Sequence, residues 1–295
     1  MLALGLAATV VAWEMTLGVR RGVWRALMLA FAWTLALGLT VVIPDFRILV
    51  VVAYAPILLL GAPFGWPPGI RFSDALPWPL INQLVCMTGG LLWAATALAY
   101  QRGTRGACQH CGRVDGAPSW TAPSDAARWG KLAVAVAVLV PVIYAITRWA
   151  WALGFPLGIS EEFFREGVGT GLWWRGAALA TLALVGALLT LGLTQRWGEV
   201  FPRWVPLLGG NRVPPMLAIA PATFVALIAA TAGLMFLRVA VRGDFALGRH
   251  AVTFSRNWAA LWPELLWPLW GVALGAATLA YYFRTRGRCV HCGRL

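Results

Sequence analysis

Apolar residues run along this chain in long, nearly unbroken blocks, separated by short stretches rich in arginine, proline and glycine. A bilayer hydrocarbon core about 30 Å thick takes roughly 20 helical residues to cross. Blocks near 2–18, 23–43, 47–62, 78–100, 130–152, 172–195, 214–237 and 260–283 approach or meet that length and predict eight membrane-spanning helices. The first block carries Glu14, lacks a basic leader and shows no small-residue cleavage site, so it reads as a retained span rather than a secretion signal.

The pattern also repeats. Residues 80–113 align without gaps to 261–294 at an offset of 181, pairing Gly90 with Gly271, Tyr100 with Tyr281, and Cys108-Gln-His110-Cys111-Gly112-Arg113 with Cys289-Val-His291-Cys292-Gly293-Arg294. Weaker echoes precede it in the same order, Leu35–Thr40 with Leu189–Thr194 and Ala53–Pro56 with Ala218–Pro221. The expectation is an all-α polytopic membrane bundle built from two parallel four-helix repeats, 1–113 and 130–295, joined by a cytoplasmic linker at 114–129. Four predicted spans separate Cys111 from Cys289, and an even number returns the chain to the same face, so both Cys elements share one side.

Composition agrees with a membrane class, because charged residues are 12% and apolar residues 60% of the chain, against roughly 25% charged in soluble domains. The net charge of +13 does not point to nucleic acid: the basic residues are dispersed between spans, and the partner they fit is the lipid bilayer surface. Of the 24 basic residues, 13 fall on the Cys side and 11 opposite. Basic residues crowd both Cys elements, the acidic cluster Glu161, Glu162 and Glu166 falls opposite, and free thiols suit a reducing compartment; together these predict cytoplasmic Cys elements. Trp24, Trp78, Trp173, Trp174, Trp258 and Trp262 lie near predicted helix ends and read as interfacial anchors.

The chemistry concentrates in the repeated element. A two-residue gap lets both thiolates of a tight turn face one ion, and glycine after the second cysteine allows the positive φ that turns backbone N–H groups toward sulfur. One such turn supplies half of a tetrahedral site; Cys108, Cys111, Cys289 and Cys292 together supply a closed one, which is structural because no coordination position stays open. The element resembles the Cys-x-x-Cys-Gly knuckles of zinc ribbons and rubredoxins over about six residues, twice. That resemblance implies a bound metal, with zinc as the structural cofactor. Gln109 and Val290 stand where that pattern often has proline, and the long separation of the knuckles leaves it to the helical bundle to bring them together. A thiol–disulfide redox role and an incidental one remain open beside it. His110 and His291, adjacent to ligating cysteines, are placed around the site rather than in it, and Cys86 is read as a small packing residue.

Other sites are weaker. Polar residues at membrane depth are costly, which singles out Glu14, Gln83 and Glu264, the last two at equivalent positions of the repeat, and Pro56 and Pro221 interrupt corresponding spans where a cavity is able to form. Arg238, Arg242, Arg249 and Arg256 would share a stripe on a continuous helix and offer contacts to an anion or to lipid phosphates, although Gly243 and Gly248 oppose continuity. Haem ligation lacks histidines within the spans, and hydrolytic and phosphate-binding motifs are missing, so an enzyme is not the favoured reading. Three functions compete: a transporter or permease-like protein acting on a small molecule, a membrane scaffold contacting a protein partner, and a membrane thiol oxidoreductase.

Overall fold

The structure, a computed structural model, describes residues 2–18, 22–52, 55, 77–114, 118–242, 246–247, 250–251 and 256–294. Its helices are α1 (Leu2–Leu17), α2 (Val23–Leu37), α3 (Trp78–Thr104), α4 (Pro123–Ala152), α5 (Glu161–Gly169), α6 (Leu172–Leu191), α7 (Pro215–Arg242), α8 (Trp262–Leu265) and α9 (Trp267–Thr285). A π-helical turn, Gly38–Val42, prolongs α2, and a minimal antiparallel pairing joins Ala246–Leu247 to His250–Ala251.

Among the described residues five helices are long and apolar enough to cross a membrane: α2 with its π turn, α3, α4, α6 and α7. These are the second, fourth, fifth, sixth and seventh of the eight predicted spans. The first is a short apolar helix, the third lies mostly outside the described residues, and the eighth divides at Leu266 into one turn and the 19-residue α9.

Local chemistry sets the boundaries. Pro123 opens α4 at a position whose N–H needs no helical partner. Ser160 caps α5 by accepting a hydrogen bond from Phe163 N, with Glu161 and Glu162 complementing the positive end of the helix dipole. Pro141 and Pro221 sit inside α4 and α7, tolerated in long apolar helices.

The chain divides into two compact units: one comprises 1–44, 70–119 and 287–295, the other 45–69 and 120–286. In the first, α2 and its π turn pack on α3. A Cβ at Gly90 would stand 2.6 Å from Thr40 Cγ2 and 2.9 Å from the Ala36 carbonyl oxygen, so only glycine permits that approach. In the second unit α4 packs on α6 and α9, and α9 on α7, around Val134, Ala137, Leu193, Ala226, Leu274 and Tyr281. Gly271 allows the closest α9–α7 approach, since a Cβ there would meet the Ala226 carbonyl oxygen at 2.6 Å. The two glycines match in sequence but contact non-corresponding helices: Gly90 meets α2, whose counterpart in the sequence repeat is α6, whereas Gly271 meets α7.

One anchor changes role. Trp173 is buried, 4% exposed, in a cluster with Trp151, Ile159 and Phe163, and its ring meets Trp151 at 4.9 Å, whereas Trp24, Trp78, Trp174, Trp258 and Trp262 are exposed. Its indole N–H donates to the Phe164 carbonyl, which satisfies the polar atom that would otherwise have favoured the interface.

Candidate metal centre

Both Cys elements fold into the same turn. Cys108 N donates to the Arg113 carbonyl at 3.0 Å and Gly112 N to the Cys108 carbonyl at 2.7 Å; Cys289 N donates to Arg294 at 3.0 Å and Gly293 N to Cys289 at 2.8 Å. Gly112 and Gly293 hold φ of 71° and 69°, the left-handed conformation that glycine alone adopts without cost. Arg102, in the last turn of α3, fastens the first knuckle through its Nη1 to the Gln109 carbonyl at 3.0 Å.

The first unit includes the carboxy-terminal segment, and this brings the knuckles face to face. Arg113 is the tie: its Nη1 donates to the carbonyls of Arg294 at 2.8 Å and Gly287 at 3.0 Å, and its Nη2 also reaches Gly287. Arg294 Nη1 reciprocates to the Arg113 carbonyl at 3.2 Å. His110 and His291 stack with centroids 3.5 Å apart and planes 9° off parallel.

The sulfurs of Cys108, Cys111, Cys289 and Cys292 lie within 4.8 Å of one another, with Cys108–Cys289 at 4.0 Å and Cys111–Cys292 at 3.6 Å. A tetrahedral ion with metal–sulfur bonds of about 2.3 Å spaces its ligand sulfurs by about 3.8 Å, so this cluster fits such an ion. All four thiols are free rather than bridged. The environment favours thiolate at the first cysteine of each turn. Backbone N–H groups of Cys111 and His110 bring the Cys108 thiol down to about 6, and those of Cys292 and His291 lower Cys289. At Cys292 the Arg294 N–H also pulls downward, but burial and the neighbouring sulfurs outweigh it and push the thiol up to about 11. A cation in the middle is the natural relief for such crowded sulfur.

Gln83 is buried in α3 of the first unit, and Glu14 is half-buried on α1. Glu264, in the second unit, is buried against a residue that sequence reasoning missed, Arg148 of α4. The Arg148 guanidinium pairs with Glu264 Oε1, donates to Thr147 Oγ1 and to the Ala259 carbonyl at 3.2 Å each, and lies 4.6 Å over the Tyr144 ring and 4.3 Å over Trp151. The available signal was the single charged residue in the apolar stretch 132–152 of α4. Of the arginines at 238, 242, 249 and 256, Arg238 and Arg242 are exposed on the last turns of α7 as described, Arg256 lies beyond the 246–251 pairing, and Arg249 lies outside the described residues. Pro56 lies outside them too.

Fold and site together define a helical membrane protein with a four-cysteine cluster able to hold a metal ion. No family model matches the chain, and neither a curated protein nor a solved structure shows significant similarity to it.

Proposed function

We propose that this is a non-enzymatic integral membrane protein in which one structural zinc ion, held by Cys108, Cys111, Cys289 and Cys292 on the cytoplasmic side, clamps the carboxy-terminal segment to the end of α3 and so ties together the ends of the two sequence repeats. The convergence of four sulfurs from segments 181 residues apart carries this reading. Four thiolates complete the coordination of zinc, leaving no position for substrate or water, so the ion supplies rigidity rather than Lewis acidity. Arg113 and Arg294 bond across the knuckles and offset the negative charge of four thiolates. An oxidoreductase would need its cysteine pairs apart and accessible to a partner disulfide, and here they face each other.

With chemistry set aside, the protein serves as a membrane scaffold. Glu264 is engaged by Arg148 rather than left open to a solute path, which favours this over a permease. The permease reading keeps one supporting observation, that Pro221 borders a cleft in the second unit. Proteoliposome uptake of amino acids, sugars and metal ions divides the two: accumulation driven by an ion gradient would establish the permease, and none is expected. Orientation is read with a membrane-impermeant maleimide after chelation. Labelling of Cys108 and Cys289 is expected in inside-out vesicles and not in sealed cells.

A further inference from the structure

A second feature, independent of the metal centre, lies wholly within the second unit. A cleft of about 680 Å³ opens between the carboxy-terminal part of α6 and the amino-terminal parts of α7 and α9, with Leu189, Pro221, Trp270 and Leu274 in its walls and Trp197 and Trp204 at its rim. That volume is in the range of small-molecule sites, roughly 300–1,000 Å³. Its lining is almost wholly apolar, and two of its walls, α6 and α7, are among the helices fit to cross a membrane. The Trp270 indole N–H is buried and has no acceptor among the described residues.

The rim is a structured loop, 192–214. Val200 bridges to Arg212, Phe201 N donates to the Asn211 carbonyl and Gly210 N to the Phe201 carbonyl, both at 2.9 Å. The last turn of α9 holds the loop in place, Tyr281 Oη donating to the Gly198 carbonyl at 2.7 Å and Arg284 pairing with Glu199 at 2.9 Å. Glu199 is thereby neutralised. Arg196, Arg203 and Arg212 are exposed and have no acidic partner among the described residues. At the loop tip Trp204 is 81% exposed and Leu207 fully exposed with φ of 63°, an unfavourable backbone for leucine that no packing explains. Exposed indole and leucine beside unpaired guanidinium groups match the boundary between headgroups and acyl chains.

We propose that this cleft binds an anionic glycerophospholipid, one acyl chain lying along Leu189, Pro221 and Leu274, and its phosphate among Arg196, Arg203 and Arg212. Within a bilayer the acyl chain is the abundant apolar occupant, and three unpaired cations select the headgroup. Each arginine near an anionic surface is worth roughly five-fold in affinity, so the headgroup preference is on the order of ten-fold or more.

The test uses delipidated full-length protein titrated with dioleoylphosphatidylglycerol or dioleoylphosphatidylcholine, with bound lipid counted by native mass spectrometry. The expected result is a preference for phosphatidylglycerol of about ten-fold or more, abolished in R196Q/R203Q/R212Q, whose exposed side chains leave folding intact. It is unchanged in the exposed-arginine control R128Q and not displaced by excess inorganic phosphate. Ala222→Trp, which fills the cleft, should reduce both lipids together. Equal binding of the two lipids by the parent protein, a preference that survives the triple substitution, or displacement by inorganic phosphate alone would each overturn the proposal. Retained metal content in these variants separates failure here from failure of the clamp.

Discussion

The buried Arg148–Glu264 pair offers a quantitative test of the second unit. Their side chains are 10% and 8% exposed, so neither charge is screened by bulk water. Replacing Arg148 by methionine keeps the hydrocarbon stem but removes the ion pair, two hydrogen bonds and two ring contacts, and leaves the Glu264 carboxyl, whose Oε2 already has no partner, buried without compensation. Removing one partner of a buried pair costs about 3–5 kcal/mol. Glu264→Leu costs less, about 2–3 kcal/mol, because Arg148 retains Thr147, the Ala259 carbonyl and the Tyr144 and Trp151 rings. The double substitution removes both charges together, so its cost falls below the sum of the singles by about 2–3 kcal/mol. Thermal unfolding in detergent, followed by tryptophan fluorescence, reads these differences. At about 2–4 °C per kcal/mol for a unit of this size, Arg148→Met lowers the midpoint by roughly 6–20 °C. Additivity within about 0.5 kcal/mol would refute the pairing and leave Glu264 as an isolated group.

Three further outcomes follow from the geometry. Gly271→Ala should cost about 1–3 kcal/mol by forcing α9 from α7, whereas Gly275→Ala, where a Cβ finds only Ala226 Cβ at 4.0 Å, should be close to neutral in the same unfolding assay. Arg113→Ala frees the carboxy-terminal segment and should weaken metal affinity by about 10–100-fold in a chelator competition, while Arg288→Ala, an exposed neighbour, should leave it unchanged. Acidification should release the metal, because protons compete for the thiolates: Cys108 stays ionised down to about pH 6, but Cys292, with its thiol pushed up to about 11, holds its proton at neutral pH until an ion displaces it. Affinity therefore rises with pH through the neutral range; metal retention independent of pH between 5 and 8 would contradict this.

Parts of this architecture were legible from the chain and parts were not. The metal centre was legible because cysteine and histidine are rare here and recur in register, and a thiolate turn is a local object encoded within six residues. That the knuckles meet was also expected, because one turn supplies only two of the four ligands a tetrahedral ion needs. Arg148 was not legible as a site, since beside Trp149 and Trp151 it resembled an interfacial helix end, and only the tertiary approach of Glu264 makes it buried. Trp173 misled for the same reason: position near a helix end favoured the interface, but packing on Trp151 and Phe163 outweighed it. The arginine spacing at 238, 242, 249 and 256 implied a stripe only on an unbroken helix, and the described part of α7 reaches Arg242. The cleft depends on how loop 192–214 folds back on the end of α9, through bonds from Tyr281 and Arg284 that no periodicity announces.

The central claim is that both knuckles share one ion, and the metal content of detergent-purified protein tests it most directly. The parent chain is expected to carry about one zinc, and Cys108→Ser and Cys289→Ser should each lose it, although they alter different knuckles. Two ions per chain with each substitution removing only one, or a metal-free protein whose cysteines form a reversible disulfide, would contradict the clamp.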